Sequence, residues 1–100
     1  MDELTSHVLG LLDPIDGVTT KHMFSASGLF HHGRMFGLVH DDRFYLRTDA
    51  LTLPDFGEAD AFTFERAGKT VTTKYREAPA EALDDSDVAC TWAMRAIASE

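Results

Sequence analysis

The sequence predicts an α+β fold in two layers, with an antiparallel sheet of about five to six strands and a helix near each end of the chain. Short apolar runs with alternating side chains fill the middle of the chain, and polar dipeptides separate them. Helical spacing of apolar residues appears near the two ends. With 100 residues, of which 44% are hydrophobic and 26% charged, the chain is expected to form one domain over residues 1–100.

The central stretch, residues 28–48, predicts three strands joined by two-residue turns at His32-Gly33 and Asp41-Asp42. In that register Leu29 lies opposite Phe36, and Leu38 lies opposite Tyr45. Because side chains alternate along a strand, one face would collect Phe30, Met35, Val39, Phe44 and Leu46. The second face would collect Leu29, Phe36, Leu38 and Tyr45, with Arg34, Arg43 and Arg47 at its rim. Two apolar faces predict either helices on both sides or a partner on the second one.

Helices are predicted at both ends. The first runs from about residue 2 to 13, because Leu4, Val8 and Leu11 recur at helical spacing and Asp2 can cap its start. The last follows the acidic run at residues 84–87. We expect it to be deeply embedded, since its apolar side chains point in most directions: Val88, Ala89, Trp92, Ala93, Met94, Ala96 and Ile97.

Two further elements connect the central strands to the last helix. A short irregular helix is predicted after Asp49, with Leu51, Leu53 and Phe56 buried. A second hairpin then turns at Ala67-Gly68. It places Phe62 opposite Thr73 and Phe64 opposite Val71, with Tyr75 on the same side and the other side exposed.

The charge pattern narrows the class of partner. The net charge of −8 comes from both ends of the chain, whereas residues 19–76 are nearly neutral. Phosphate binding usually requires several Lys or Arg contacts, so direct DNA binding is disfavoured. No apolar run is long enough to span a membrane, and the acidic start and lone Cys90 favour a cytoplasmic location with no membrane partner.

No catalytic residue, cofactor or metal site is predicted. His22, His31, His32 and His40 are close in sequence, but the predicted register separates His31 from His40. Cys90 is expected to be a small buried hydrophobe. The chain contains neither a phosphate-binding loop nor a dinucleotide fingerprint. The small residues from Ser25 to Gly28 leave room for a ligand.

Four motifs carry a resemblance to a known family: Met23-Phe24, Gly28-Leu29-Phe30, Phe62–Arg66 and Pro79–Leu83. In their order and spacing the chain resembles the N-terminal domain of the TfoX/Sxy competence-regulator family over nearly its whole length. Where that family usually has two glycines after Met-Phe, this chain has Ser25-Ala26.

The resemblance implies a two-layer α+β fold similar to secretion-chaperone-like proteins, several of which dimerise. Longer bacterial members co-regulate competence genes alongside a cyclic-AMP receptor protein. We therefore expect a stand-alone, non-enzymatic module of transcription regulation that binds a regulatory protein or a second copy of itself as a homodimer. The interaction face would consist of Leu29, Phe36, Leu38, Tyr45, Arg34, Arg43 and Arg47. A nucleic-acid-associated regulator and a small-molecule-binding domain at Ser25–Gly28 remain alternatives.

Overall fold

The fold is an α+β arrangement, as the sequence predicts. The computed structural model describes residues 2–23 and 25–99, so Phe24 of the Met-Phe motif lies outside the described part. The elements are α1 (Glu3–Leu11), β1 (Val18–Met23), β2 (Ala26–His31), β3 (Arg34–His40), β4 (Arg43–Arg47), a 3₁₀ turn (Leu53–Phe56), β5 (Ala61–Arg66), β6 (Lys69–Glu77), a second 3₁₀ turn (Ala80–Leu83) and α2 (Ser86–Ala98). The six strands form one antiparallel sheet in the order β1-β2-β3-β4-β6-β5.

Three hairpin turns are confirmed where the sequence predicts them. His32-Gly33, Asp41-Asp42 and Ala67-Gly68 each have positive φ at both residues, with values from 50° to 82°. This geometry matches the right-handed twist of the strands that the turns join. Polar or small residues at these positions therefore explain where the chain reverses.

The predicted register of β3 against β4 is confirmed. The predicted register of β3 against β2 is correct next to the turn but wrong farther along the strands. Leu38 pairs with Tyr45 as predicted, and Phe30 pairs with Met35. Leu29, however, pairs with Gly37 rather than with Phe36. Phe36 is thus the extra residue of a β-bulge, in which two residues of one strand face a single residue of its neighbour.

The bulge changes which side chains are buried. Successive side chains of a strand point to opposite faces of the sheet. One extra residue therefore moves all the side chains on one side of the bulge to the opposite face. Leu29 and Phe36 are fully buried and pack in the core, whereas Phe30 and Met35 are only partly buried. The core face of the sheet therefore carries Leu29, Phe36, Val39, Phe44 and Leu46. The predicted second face loses Leu29 and Phe36.

Both helices pack on this core face and contact each other. α2 contacts β3 and β4, and α1 contacts β4. The carboxylate of Asp2 accepts a hydrogen bond from the Thr5 backbone N–H at 2.7 Å, which caps α1 as predicted. Asp85 caps α2 in the same way through the N–H groups of Asp87 and Val88. No helix in the described part of the chain is long and apolar enough to cross a membrane.

The helix layer is less enclosed than the sequence predicts. α2 buries the side formed by Ala89, Ala93 and Ala96, because the sheet, α1 and the second 3₁₀ turn cover it from one side, and Met94 is 50% exposed. Phe56 of the first 3₁₀ turn is buried, but Leu53 of the same turn and Leu51 before it are exposed. A turn this short directs only one of these side chains inward.

Gly37 permits the close approach of β4 at the bulge. A Cβ atom added there would lie 2.9 Å from the backbone oxygen of Tyr45, whereas one added at Gly28 would meet side-chain atoms of Phe30 and Met35. We expect Gly37→Ala to lower the free energy of unfolding by about 2 kcal/mol, since a backbone atom cannot move aside as easily as a side chain. Urea unfolding followed by circular dichroism would measure it. Gly28→Ala is the matched control, and an equal or larger cost there would contradict this account.

Candidate functional site

The sheet has an open face on the side away from the helices. Gly28, Leu38 and Tyr45 lie on this face, because Gly28 pairs with Leu38 and Leu38 with Tyr45. β5 and β6 extend it, since Tyr45 also pairs with Glu77 of β6. Neither α1 nor α2 packs on these residues, because both helices occupy the core face.

An apolar groove of about 850 Å³ runs across the open face. Its walls combine residues of the two edge strands, β1 and β5, with residues of the central strand β3. The apolar side chains that line it are Met23, Met35, Leu38, Phe62, Phe64 and Tyr75. Smaller or polar residues complete it: Ser25, Ala26, Gly28, His40, Thr63, Glu65, Arg66 and Thr73.

Phe62 is the centre of an aromatic cluster at one end of this groove. Its ring centroid lies 5.3 Å from that of His40 and 5.4 Å from that of Tyr45, both in edge-to-face geometry. The Phe64 ring follows at 6.5 Å. Edge-to-face contacts of this kind favour a fixed arrangement of the rings. Phe64, by contrast, is 41% exposed at the outer edge, so the cluster leaves an apolar surface for another molecule.

The predicted apolar interaction residues are divided between the two faces. Leu38 and Tyr45 lie on the open face, where Leu38 forms part of the groove floor and Tyr45 lies against Phe62. Leu29 and Phe36 lie in the core under the helices. Substituting either of those two would therefore test folding and not binding.

Two of the three predicted rim arginines hold the C-terminal end of α2. The Arg47 guanidinium donates to the carbonyl oxygen of Ala96 at 3.0 Å, to Ser99 Oγ at 2.8 Å and to the carbonyl oxygen of Met35. Arg34 donates to the Ser99 carbonyl oxygen at 2.9 Å. A helix C-terminus carries partial negative charge and unpaired carbonyl groups, which suit a cation. Burial, together with the nearby Arg34 charge, lowers the pKa of Arg47.

Arg43 has different partners. Its guanidinium lies 3.1 Å from the Asp60 carboxylate and 3.4 Å from that of Glu77, and all three side chains are partly exposed. The hydrogen bond to Asp60 raises the pKa of Arg43. The three arginines therefore do not form one basic cluster on the second face.

Sequence reasoning missed several residues that form the groove. The predicted register does not place Met23 or Met35 on the second face. It places Phe62, Phe64 and Tyr75 on a separate hairpin. The signal that could have found them is the regular alternation of apolar and polar side chains in that hairpin, because its apolar side must pack against another element or molecule. The pairing of β6 with β4 joins this side to the open face.

Burial of the two tyrosines predicts a loss of stability at alkaline pH. Burial raises the pKa of Tyr75 and of Tyr45, although nearby arginines oppose it. Above about pH 10 the unfolded chain releases phenolic protons that the folded chain retains, so the free energy of unfolding falls as pH rises. Urea unfolding at a series of alkaline pH values should show this fall, and Tyr75→Phe should reduce it. Equal pH dependence in the wild type and Tyr75→Phe would contradict the assignment.

The histidines and the cysteine occupy separate places. His31 and His32 stack edge to face at 4.2 Å beside the β2–β3 turn, whereas His40 lines the groove. Cys90 is partly buried in α2, with its Sγ 3.4 Å from the Leu11 carbonyl oxygen. Within residues 2–23 and 25–99, no three His, Cys, Asp or Glu side chains are arranged to hold a metal ion.

The comparison with known proteins agrees with the architecture. No curated protein sequence matches the chain. A family model does match it, over residues 10–99, and its description is the TfoX N-terminal domain. That match spans the sheet, both 3₁₀ turns and α2. Since it covers most of the chain, and since the α+β fold is the one implied by the sequence motifs, the protein belongs to the TfoX N-terminal domain family.

Proposed function

We propose that this chain is a non-enzymatic regulatory module that binds a protein partner in the apolar groove of its open sheet face. One observation carries the proposal: the sheet has a complete hydrophobic core on one face and, on the other, a second apolar surface on which neither α1 nor α2 packs, with Leu38 and Tyr45 buried within it and Phe64 exposed at its edge. Apolar grooves rimmed by polar residues commonly mark interaction or ligand-binding sites.

The composition of the groove suits a protein partner. Met23 and Met35 contribute flexible, polarizable side chains that adapt to different surfaces. Phe62 and Phe64 provide aromatic contact area, which is enriched in protein interfaces. As a member of a regulatory domain family, the chain would act by bringing such a partner to a transcriptional complex.

The polar groups of the groove give little support to catalysis. Ser25 Oγ lies 3.4 Å from His40 Nδ1, and the same ring nitrogen lies 3.3 Å from the Ser25 carbonyl oxygen. An activated serine needs a shorter contact to its base and a third group that orients the imidazole. Among the described residues no carboxylate hydrogen-bonds to His40.

The alternative functions differ in their support. Arg34, Arg43 and Arg47 already have intramolecular partners, which argues against a phosphate-binding role for them. A small-molecule site has one observation in its favour, since the volume of the groove falls within the range of ligand pockets and Ser25, Ala26 and Gly28 line it. It is the second candidate.

Site-directed photo-crosslinking tests the protein-interaction proposal. We expect benzoylphenylalanine in place of Phe64 to give specific adducts in cells that express the protein, because this position borders the groove. Benzoylphenylalanine in place of Met94, which is similarly exposed but lies on α2, is the control. Denaturing gels and mass spectrometry would identify each adduct and distinguish a second copy from another protein. Similar adducts at both positions, or none at position 64, would contradict the proposal.

A further inference from the structure

The groove lies in the part of the molecule that carries nearly all the positive charge. The strands hold eight of the nine Lys and Arg residues but only two of the 17 Asp and Glu residues. Most of the other acids that the structure describes lie in or beside the helices and the 3₁₀ turns, whereas Asp41, Asp42 and Asp60 lie in connections at strand ends. The molecule therefore has an acidic helical layer and a basic sheet, although its net charge is −8.

Three of these bases stand on the groove side without a carboxylate within ion-pair distance among residues 2–23 and 25–99. Arg66 lines the groove. Lys69 is its cross-strand partner and Lys21 pairs with Gly28, so both lie on the open face. The one acid that lines the groove, Glu65, accepts a hydrogen bond from the Thr70 hydroxyl at 2.8 Å.

The acidic helical layer does not cancel this local charge. The smallest dimension of the molecule is 24 Å, which exceeds the Debye length of about 8 Å at physiological salt. Carboxylates on the far side are therefore screened from a ligand in the groove. On the groove side a ligand would meet the bases Arg66, Lys69 and Lys21, and Glu65 as the acid that lines the groove.

The free edge of β5 is a second feature that a ligand could use. β5 is the last strand of the sheet and pairs only with β6 among the described strands. Phe62 and Phe64 of this strand line the groove. An extended segment that pairs with the outer edge of β5 would therefore place alternate side chains beside Phe62 and Phe64, at this wall of the groove. Strand addition of this kind gains affinity from main-chain hydrogen bonds and specificity from side-chain pockets.

We propose that the groove binds an extended, acidic segment of a partner protein, which adds to the edge of β5. Its apolar side chains, at alternate positions, contact Phe62 and Phe64, and carboxylates at the next positions on the same side of the segment lie near Arg66 and Lys69. This inference rests on the proposed function, since it names the chemistry of the partner for the same groove.

Synthetic peptides of about ten residues test the charge: on the side that faces the groove they carry leucine opposite Phe62 and Phe64 and then Glu, Ser or Lys opposite Arg66, with threonine on the other side. We expect fluorescence anisotropy to show the Glu peptide binding at least about tenfold more tightly than the Lys peptide. Arg66→Gln with Lys69→Gln should weaken the Glu peptide about three- to tenfold. Thr91→Glu with Met94→Glu makes the same change in net charge on exposed positions of α2, and should change the affinity less than about twofold.

N-methylated versions of the Glu peptide test the strand pairing. In an extended peptide the N–H groups alternate in direction, so methylation of one alternate set should abolish binding and methylation of the other should be tolerated. Equal affinity of the Glu, Ser and Lys peptides, equal effects of the two methylated sets, or binding of decanoate with no binding of any peptide would each overturn the inference. If crosslinking at position 64 still succeeds in those cases, the inference fails while the proposed function stands.

Discussion

Arg47→Ala is expected to lower the free energy of unfolding by about 3 kcal/mol, as measured by urea unfolding. The side chain is only 5% exposed, and its guanidinium joins the Met35 carbonyl of the sheet to Ala96 and Ser99 at the end of α2. Truncation would remove three hydrogen bonds and with them the main polar link between the sheet and the end of the helix. The Met35 carbonyl would keep the Tyr75 hydroxyl as a donor, and the Ala96 carbonyl would keep Ser99. A loss of this size is a large fraction of the stability of a domain of this length.

Two substitutions serve as controls for this prediction. Arg34→Ala removes a single hydrogen bond from an exposed side chain, so we expect a cost of at most about 1 kcal/mol. Arg47→Lys keeps the charge but not the planar set of donors, and should recover only part of the loss. If Arg47→Ala and Arg34→Ala cost the same, Arg47 does not hold α2 as the structure indicates.

Phe36→Ala is expected to destabilise the protein by about 3–5 kcal/mol, because it opens a cavity among fully buried side chains. Phe64→Ala should cost no more than about 1 kcal/mol, since that ring is 41% exposed at the sheet edge. Parallel urea titrations of the two variants would measure the difference. The comparison matters because the sequence places Phe36 on the interaction face, whereas the structure places it in the core.

The opposite result would indicate a different register between β2 and β3. If Phe36→Ala were as mild as Phe64→Ala, the β2–β3 register would be the uninterrupted one, with Phe36 opposite Leu29. The proposed groove would then lose Met35, because the faces of that half of β3 would be exchanged. The two variants thus test the bulge on which the assignment of the open face depends.

The bulge also explains why sequence reasoning located only part of the site. The predicted face is correct for Leu38 and Tyr45, because Leu38 follows the bulge and pairs with Tyr45 across the second turn, where the register is regular. It is wrong for Leu29 and Phe36, because alternation was assumed to continue through Gly37. A glycine inside a strand pattern often marks a bulge, so a signal was present at Gly37, although alternation alone could not show which residue would be extra.

Interactions between residues close together in the sequence determined most of the fold. Polar or small dipeptides set the three turns, Asp2 and the acidic run before α2 set the helix starts, and alternation set the strands, since each of these depends on near neighbours in the chain. Only the tertiary structure decided that α1 and α2 share one face, that β6 pairs with β4, and that Arg47 binds the end of α2. Those contacts join residues far apart in sequence, and their free energy depends on packing that no local pattern records.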